Sequence, residues 1–374
     1  MVDYRDMPPA AKKMRDFYDI KPDAGIIQTD FGYYCLDKWK SLGHITDSTD
    51  LSKLFMFDEP ATAGIGGLGG CEAAFSPYFE TEVLEDRGEH ELVRDHAGRH
   101  VLYFKGRRSG FMPEYVDHPV KDMKSWEESC KWRMDPNSPE RYENLEKNMQ
   151  GIIEKAKAGY FVQQYSVGGY MYLRSLMGPE GVLYKFHDEP ELIHDCMETW
   201  FLLADRVTAE HQKYLAVDEL LLDEDICFKT GPLISPDMIR EFLFPYYAQL
   251  ITNMKSRQLD SRHLHVHVAT DGFVYPVIDL YKEIGMDYMS PFEVAAGCDV
   301  VEAGKKYPGL LIRGGIDKRI LAAGKEKIDR EVDRIMPQMK KRGGYIPTCD
   351  HGVPEEVDFF DYMHFRKRML EFKD

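Results

Sequence analysis

His263-Leu264-His265-Val266-His267-Val268-Ala269-Thr270-Asp271-Gly272 alternates imidazole with aliphatic side chains over its first six positions. Side chains on a strand point to opposite faces with period two, so the run reads as a strand with one face of histidines and one of aliphatics. A strand covered by helices on one side and facing a polar interior on the other has this composition. Imidazole ligates metals and exchanges protons near neutral pH, so three on one face also point to chemistry.

On either side of this run the chain repeats a simple rhythm. Strand candidates fall near 160–166, 218–226, 262–269, 286–291, 309–315 and 344–349. Helical stretches lie between them at 179–214, 235–257, 273–284, 296–306 and 325–341, and a last helix covers 354–371. Strands alternating with helices give βαβ units and a parallel sheet. Further strands near 26 and 74 bring the count to eight, that of a closed barrel. The expected fold is therefore α/β: a (β/α)8 TIM barrel forming a single domain over 1–374. An N-terminal extension is expected over 1–70 and a β-hairpin insertion over 90–106, where Glu91-Leu92-Val93-Arg94 and Val101-Leu102-Tyr103-Phe104 flank a turn. Helices are expected over 120–132 and 138–158. An open doubly wound sheet is the alternative. Gly64-Ile65-Gly66-Gly67-Leu68-Gly69 fits GxGxxG but follows no apolar strand, and reads as a loop rather than a dinucleotide site.

Composition narrows the function. A formal net charge of −16 argues against a nucleic-acid partner. No apolar run approaches the roughly 20 residues of a membrane span. The charged start, Asp3-Tyr4-Arg5-Asp6, is unlike a signal peptide. Seven cysteines without a CxxC pair point to a reducing cytoplasm.

Catalytic groups of barrels sit where strands end. Five strand ends here carry chemistry: Asp223-Glu224-Asp225, Asp271, Pro291-Phe292-Glu293, Arg313-Gly314-Gly315-Ile316-Asp317 and Thr348-Cys349-Asp350-His351. One such ending is an ordinary helix cap, the plain reading for Asp237 and Asp317; five together point to a site. Asp225, Asp271 and His351 are the candidates for proton transfer. Glu293 and Arg313 are candidates for substrate binding, with Tyr165 and Tyr170 as pocket aromatics. His265 and His267, about 6.6–6.8 Å apart along one face, form a tentative metal site with Cys349 from another strand end. The alternative is that these histidines hydrogen-bond across the barrel interior without a metal.

The motifs His267–Gly272, Pro291–Asp299, Gly314–Lys318 and Gly343–Pro354, in that order, resemble the uroporphyrinogen decarboxylase-like superfamily, and Asp225–Pro236 and His118–Asp122 fit it too. The resemblance runs over about 75–370 and implies a (β/α)8 barrel with one of two chemistries. True uroporphyrinogen decarboxylases remove carboxylates from tetrapyrrole side chains without a cofactor, gripping substrate with an Arg-rich segment like RQAGR. The first 40 residues here hold only Arg5 and Arg15. His351 matches the late His of those enzymes' GHG segment. The second branch, which this chain is more similar to, comprises cobalamin-dependent methyltransferases. They pass a methyl group between a small molecule and a separate corrinoid protein. Members that bind zinc use an HxCG strand end and a later Cys; here Ala269 and Asp271 stand at the first two positions, which leaves His267 and Cys349 as a shifted pair.

The resemblance thus implies a cytoplasmic methyltransferase of anaerobic one-carbon metabolism. It would move a methyl group from a small donor, a methoxylated aromatic among the candidates (O-demethylation), to the cobalamin of a partner corrinoid protein, with zinc as a second cofactor. A decarboxylase of a small carboxylated substrate and a non-catalytic small-molecule binder are the rival readings. Self-association is left open.

Overall fold

The computed structural model describes residues 3–108 and 112–374. Its strands are β1 (Thr62–Ile65), β2 (Glu82–Arg87), β3 (His90–Arg94), β4 (His100–Phe104), β5 (Glu114–Asp117), β6 (Phe161–Val167), β7 (Glu219–Asp223), β8 (Cys227–Phe228), β9 (Gly231–Pro232), β10 (His265–Ala269), β11 (Tyr288–Ser290), β12 (Leu311–Arg313) and β13 (Tyr345–Ile346). Seven of them form one parallel sheet in the order β1-β6-β7-β10-β11-β12-β13. Spatial order follows chain order, with helices in the connections from β6 onward, which is the sequential winding of a TIM barrel. A doubly wound sheet would reverse its order at a switch point, and this one does not.

The sheet has seven paired strands where eight were expected. No strand forms near 74; the first barrel strand is β1, which already includes Gly64 of the glycine-rich stretch, and no helix follows it directly, so the dinucleotide fingerprint is absent. The strand expected near 26 does not join the ladder. Its backbone instead bonds Asp58 through Gln28 and Phe372, just past the C-terminal helix, through Ile26. Farther along, Tyr34 and Gly32 exchange bonds with Val353, just past β13. This extended segment therefore spans the gap beside β13 without ladder pairing.

Residues 1–70 are also more than an extension. They supply β1, and the helix Pro9–Tyr18 carries Phe17 and Tyr18 into an apolar cluster with Phe161, Tyr288, Leu311 and Ile346. Tyr18 stacks on Phe161 at 4.4 Å between ring centroids. These side chains close the N-terminal end of the barrel. The expected hairpin is present, with Val93 opposite Val101, but it is the centre of a four-stranded antiparallel sheet, β2-β3-β4-β5.

The aliphatic residues of β7 and β10 do what their burial requires. Leu220, Leu222, Val266 and Val268 are fully buried in a cluster that runs from Ile26 to Met369. After β6 the Val167-Gly168-Gly169 stretch turns at once into the helix Gly169–Met177. Its first turn is capped from the neighbouring strand end: Glu224 accepts from the backbone N–H of Tyr170 at 3.0 Å. That cap explains Gly168, where a Cβ would stand 2.3 Å from the Glu224 carboxylate. No helix among the described residues is long and apolar enough to cross a membrane.

Candidate active site

A cavity of about 630 Å³ opens where the strands of the parallel sheet end. Its floor is Asp223, Asp225, Thr270, Asp271 and Ser290. Its walls come from Met171, Arg174 and Ser175 of the helix Gly169–Met177, and from Phe31 of the N-terminal segment. The antiparallel sheet contributes Arg99 and Tyr115, which makes it the cover of the barrel mouth. The volume lies within the range of small-molecule sites, which combine apolar side chains such as Phe31 and Met171 here with a few convergent polar groups.

Three carboxylates share this floor, each held differently. Asp223 accepts from the Tyr165 hydroxyl at 2.5 Å; burial pushes its carboxyl up, and the charges of Asp225 and Asp271 add to the rise. Asp225 forms an ion pair with Arg174 at 2.6 Å and adopts φ +40°, a left-handed conformation uncommon outside glycine. Asp271 accepts from His351 Nε2 at 3.1 Å, and that hydrogen bond raises the imidazole above its ordinary 6.5 against the opposing effect of burial. The other ring nitrogen of His351 is buried without a partner. The two arginines of the lining are both engaged, Arg174 with Asp225 and Arg99 with Asp95 at 2.8 Å. His118, also in the lining, is pushed down to about 4, chiefly by burial and then by Lys121 and Arg99. It is therefore neutral at pH 7.

Of the residues expected from sequence, Asp225 and Asp271 line the cavity, His351 stands behind Asp271, and Tyr165 reaches the floor through Asp223. Tyr170 is fully buried and forms no part of the described lining. Glu293 accepts from the backbone N–H of Gly272 at 3.0 Å, shaping the turn after β10. Arg313 lines a separate cavity of about 200 Å³ near the N-terminal plug, with Tyr18, Gln163, Glu219 and Tyr288. It does not meet Glu293 or the proton-transfer candidates.

The expected metal set is not brought together. His267 Nδ1 is 2.8 Å from Glu219 and its Nε2 is 2.7 Å from Ser290. Both nitrogens are thus spent on the barrel interior, with the ring stacked on Tyr288 at 3.6 Å. His265 turns to Asp287 at 2.9 Å. Cys349 is buried, and its thiol is pushed well up by burial and by the nearby Asp30, the reverse of what a thiolate ligand needs. These three residues do not fit a shared zinc ion, and the interior hydrogen-bonding alternative describes His267.

Sequence reasoning named Asp223 as part of the Asp223-Glu224-Asp225 strand end without giving it a role, and it missed Glu219 and Arg174. The signal for Asp223 and Glu219 was present. Glu219, Leu221 and Asp223 share one face of β7 by period two, and that face looks into the barrel. Glu219 is fully buried beneath Tyr18, Gln163 and His267. Burial pushes its carboxyl up, but the His267 imidazole and the three hydrogen bonds outweigh that and hold it below the usual range. Arg174 lies on a helix the sequence reading did not foresee.

Comparison with known proteins fits this architecture. The family model described as uroporphyrinogen decarboxylase (URO-D) matches residues 137–369. The uroporphyrinogen decarboxylase of Saccharopolyspora erythraea is 35% identical over 177 residues, 46% of this chain and 47% of that one. That of Corynebacterium diphtheriae is 24% identical over 219 residues, 56% of this chain and 57% of the other. These alignments span about half the length of the curated relatives. Among solved structures, a methyltransferase from Methanosarcina mazei superposes over 98% of this chain and 99% of its own, with a TM-score of 0.59 and 12% identity, a likeness of fold alone. The family match takes in the barrel strands from β6 to β13 and all five of the strand ends that carry acids, the arginine or the histidine, and on it the chain belongs to the uroporphyrinogen decarboxylase (URO-D) family.

Proposed function

We propose that the protein is a methyltransferase that takes a methyl group from a small uncharged or cationic donor and delivers it to the corrinoid of a partner protein. The observation that carries this reading is the Asp271–His351 pair on a floor of three carboxylates whose nearby arginines are already paired. A polyanionic tetrapyrrole needs cations to spare, and Arg99 and Arg174 are committed to Asp95 and Asp225. A neutral aryl methyl ether or a methylated amine avoids that conflict. The resemblance to cobalamin-dependent methyltransferases supplies the acceptor.

In that reaction the bond between methyl carbon and donor heteroatom breaks, the methyl passes to the acceptor, and the electron pair stays on the heteroatom. The leaving atom then takes a proton. His351, raised by Asp271, holds that proton, and Asp271, the member of the pair that lines the cavity, passes it on. Asp223, raised by burial and hydrogen-bonded by Tyr165, sits beside it and orients the donor. Arg174 neutralises Asp225, so the floor carries less repulsion than three free carboxylates would.

The family match favours a second reading, decarboxylation of a small carboxylated substrate, in which the same pair would protonate the carbanion left by carbon dioxide. One experiment separates the two. Purified protein is incubated with cob(I)alamin and a panel of methoxylated aromatics, methylamines and methylthiols, with methylcobalamin followed by absorbance. Carbon dioxide release is followed in parallel from carboxylated analogues. Donor-dependent methylcobalamin formation that falls in Asp271→Asn is the expected result. Carbon dioxide release without methyl transfer would replace the first reading by the second.

A further inference from the structure

The histidine strand holds a second polar group, at the opposite end of the barrel from the cavity. His263 Nε2 and His265 Nδ1 both lie 2.9 Å from one oxygen of Asp287, Oδ2. Ligand atoms of all three side chains fall within 4.8 Å of one another, the one such set of three or more His, Cys, Asp or Glu among the described residues. We propose that His263, His265 and Asp287 form a divalent transition-metal site, with zinc as its first occupant, that ties β10 to β11 at the N-terminal end of the barrel.

Strand geometry builds the set. His263 and His265 are two apart and so share a face, and Asp287 immediately precedes β11, the strand paired with β10. Two imidazoles and a carboxylate are a common donor set for zinc, whose ligand atoms stand roughly 3.3 Å apart at tetrahedral angles and bond lengths of 2.0–2.2 Å. The observed 2.9 Å contacts need open by only a few tenths of an ångström to admit an ion.

The ligands are also oriented in advance. Asp287 Oδ1 accepts from the backbone N–H of Val266 at 3.0 Å, which aims Oδ2 at the two rings. The His265 ring packs 4.6 Å from Tyr18, the plug residue. Such outer contacts fix a ligand's direction. The His263 side chain is 58% exposed, so the remaining coordination position faces water. Arg262, the adjacent cation, is turned away to Asp218 and Asp260. Residues at the N-terminal face of a barrel serve stability rather than turnover. The site is therefore structural, and its metal holds the strand starts beside Tyr18.

The test is metal content and spectrum, independent of any activity. Wild type, His263→Ala and Asp287→Asn are loaded with zinc, passed through gel filtration and measured by plasma mass spectrometry. Cobalt(II) is then substituted and its visible spectrum recorded. His263 is exposed, so its replacement leaves the fold intact, and Asp287→Asn keeps an oxygen for the Val266 N–H. About one equivalent in wild type and at least a tenfold loss in both variants is expected. The cobalt form should show d–d bands without a thiolate charge-transfer band. Wild type free of zinc, zinc retained by His263→Ala, or a thiolate band would each overturn the proposal.

Discussion

The two ends of the barrel use the same residue types to opposite effect. Toward the N-terminal end, Glu219 is enclosed by Tyr18, Gln163 and His267, and His267 has both nitrogens occupied. That network makes its bonds within the protein, and the cavity that Tyr18, Gln163 and Glu219 border is small, about 200 Å³. At the C-terminal rim, Asp223, Asp225 and Asp271 each hold a partner yet keep a face on a cavity of about 630 Å³. A buried polar group whose bonds are all made within the protein specifies structure, whereas one that shares its capacity with a cavity is available for chemistry. The number of histidines on a strand does not distinguish the two cases; how each one is satisfied does.

The sharpest way to break this contrast is at the rim. His351→Gln should lower methyl transfer about 10²–10⁴-fold, the usual contribution of a positioned proton donor, while the denaturation midpoint stays near wild type. A large loss of stability with turnover intact would move His351 to the structural side. The pH profile adds a sign. Because Asp271 raises His351 above 6.5, the pair's stabilisation is full below that value and is lost as pH rises through the higher folded one. The alkaline limb of activity should therefore lie above 6.5 in wild type and move down in Asp271→Asn.

The reverse outcome is expected at the closed end. Glu219→Ala leaves His267, Tyr18 and Gln163 without their common acceptor, and should cost about 3–5 kcal/mol in chemical denaturation. A cost below about 1 kcal/mol would show that the network is not what holds the barrel floor.

Glu224 sits between these extremes, a buried cap whose carboxyl is raised to about 7 by burial. The folded state binds its proton more tightly than the unfolded one. Its stabilisation is present below 4.5 and is lost as pH rises toward about 7. Glu224→Gln should flatten that part of the stability curve, by on the order of 2–4 kcal/mol across the window. An unchanged curve would mean the group stays ionised. The smallest effect is expected for Arg174→Ala. Its pair with Asp225 is about a quarter exposed, so stability should fall by no more than about 1 kcal/mol, while the affinity of a cationic donor rises as Asp225 loses its partner. Weaker binding of such donors would place Arg174 among the groups that hold substrate.

Much of the architecture was legible because it is local. The aliphatic run Leu220–Leu222 in β7, the alternation in β10, helical stretches between strands, and the turn between β3 and β4 are short-range patterns, and the sequential parallel sheet follows from them. The missed pieces lack such a pattern. β1 is a four-residue Thr-Ala-Gly-Ile run with little to mark it, and the 25–30 segment looks like a strand but spends its backbone on Asp58 and on Phe372 past the C-terminal helix. The helix Gly169–Met177 opens on a glycine pair, and its cap comes from Glu224, 54 residues away from the amide it receives.

The sequence by itself determined the order of the strands, the parity of each side chain on them, and the delivery of acids and a histidine to the strand ends. Only the tertiary structure decided which histidine meets which carboxylate. His263 and His265 share Asp287, His267 is enclosed by Glu219 and Ser290, and His351 reaches Asp271 across 80 residues of chain. Period two fixes which face a side chain occupies, but partners across a barrel depend on register and on the plug that closes its end. Neither is written in any one segment of the chain.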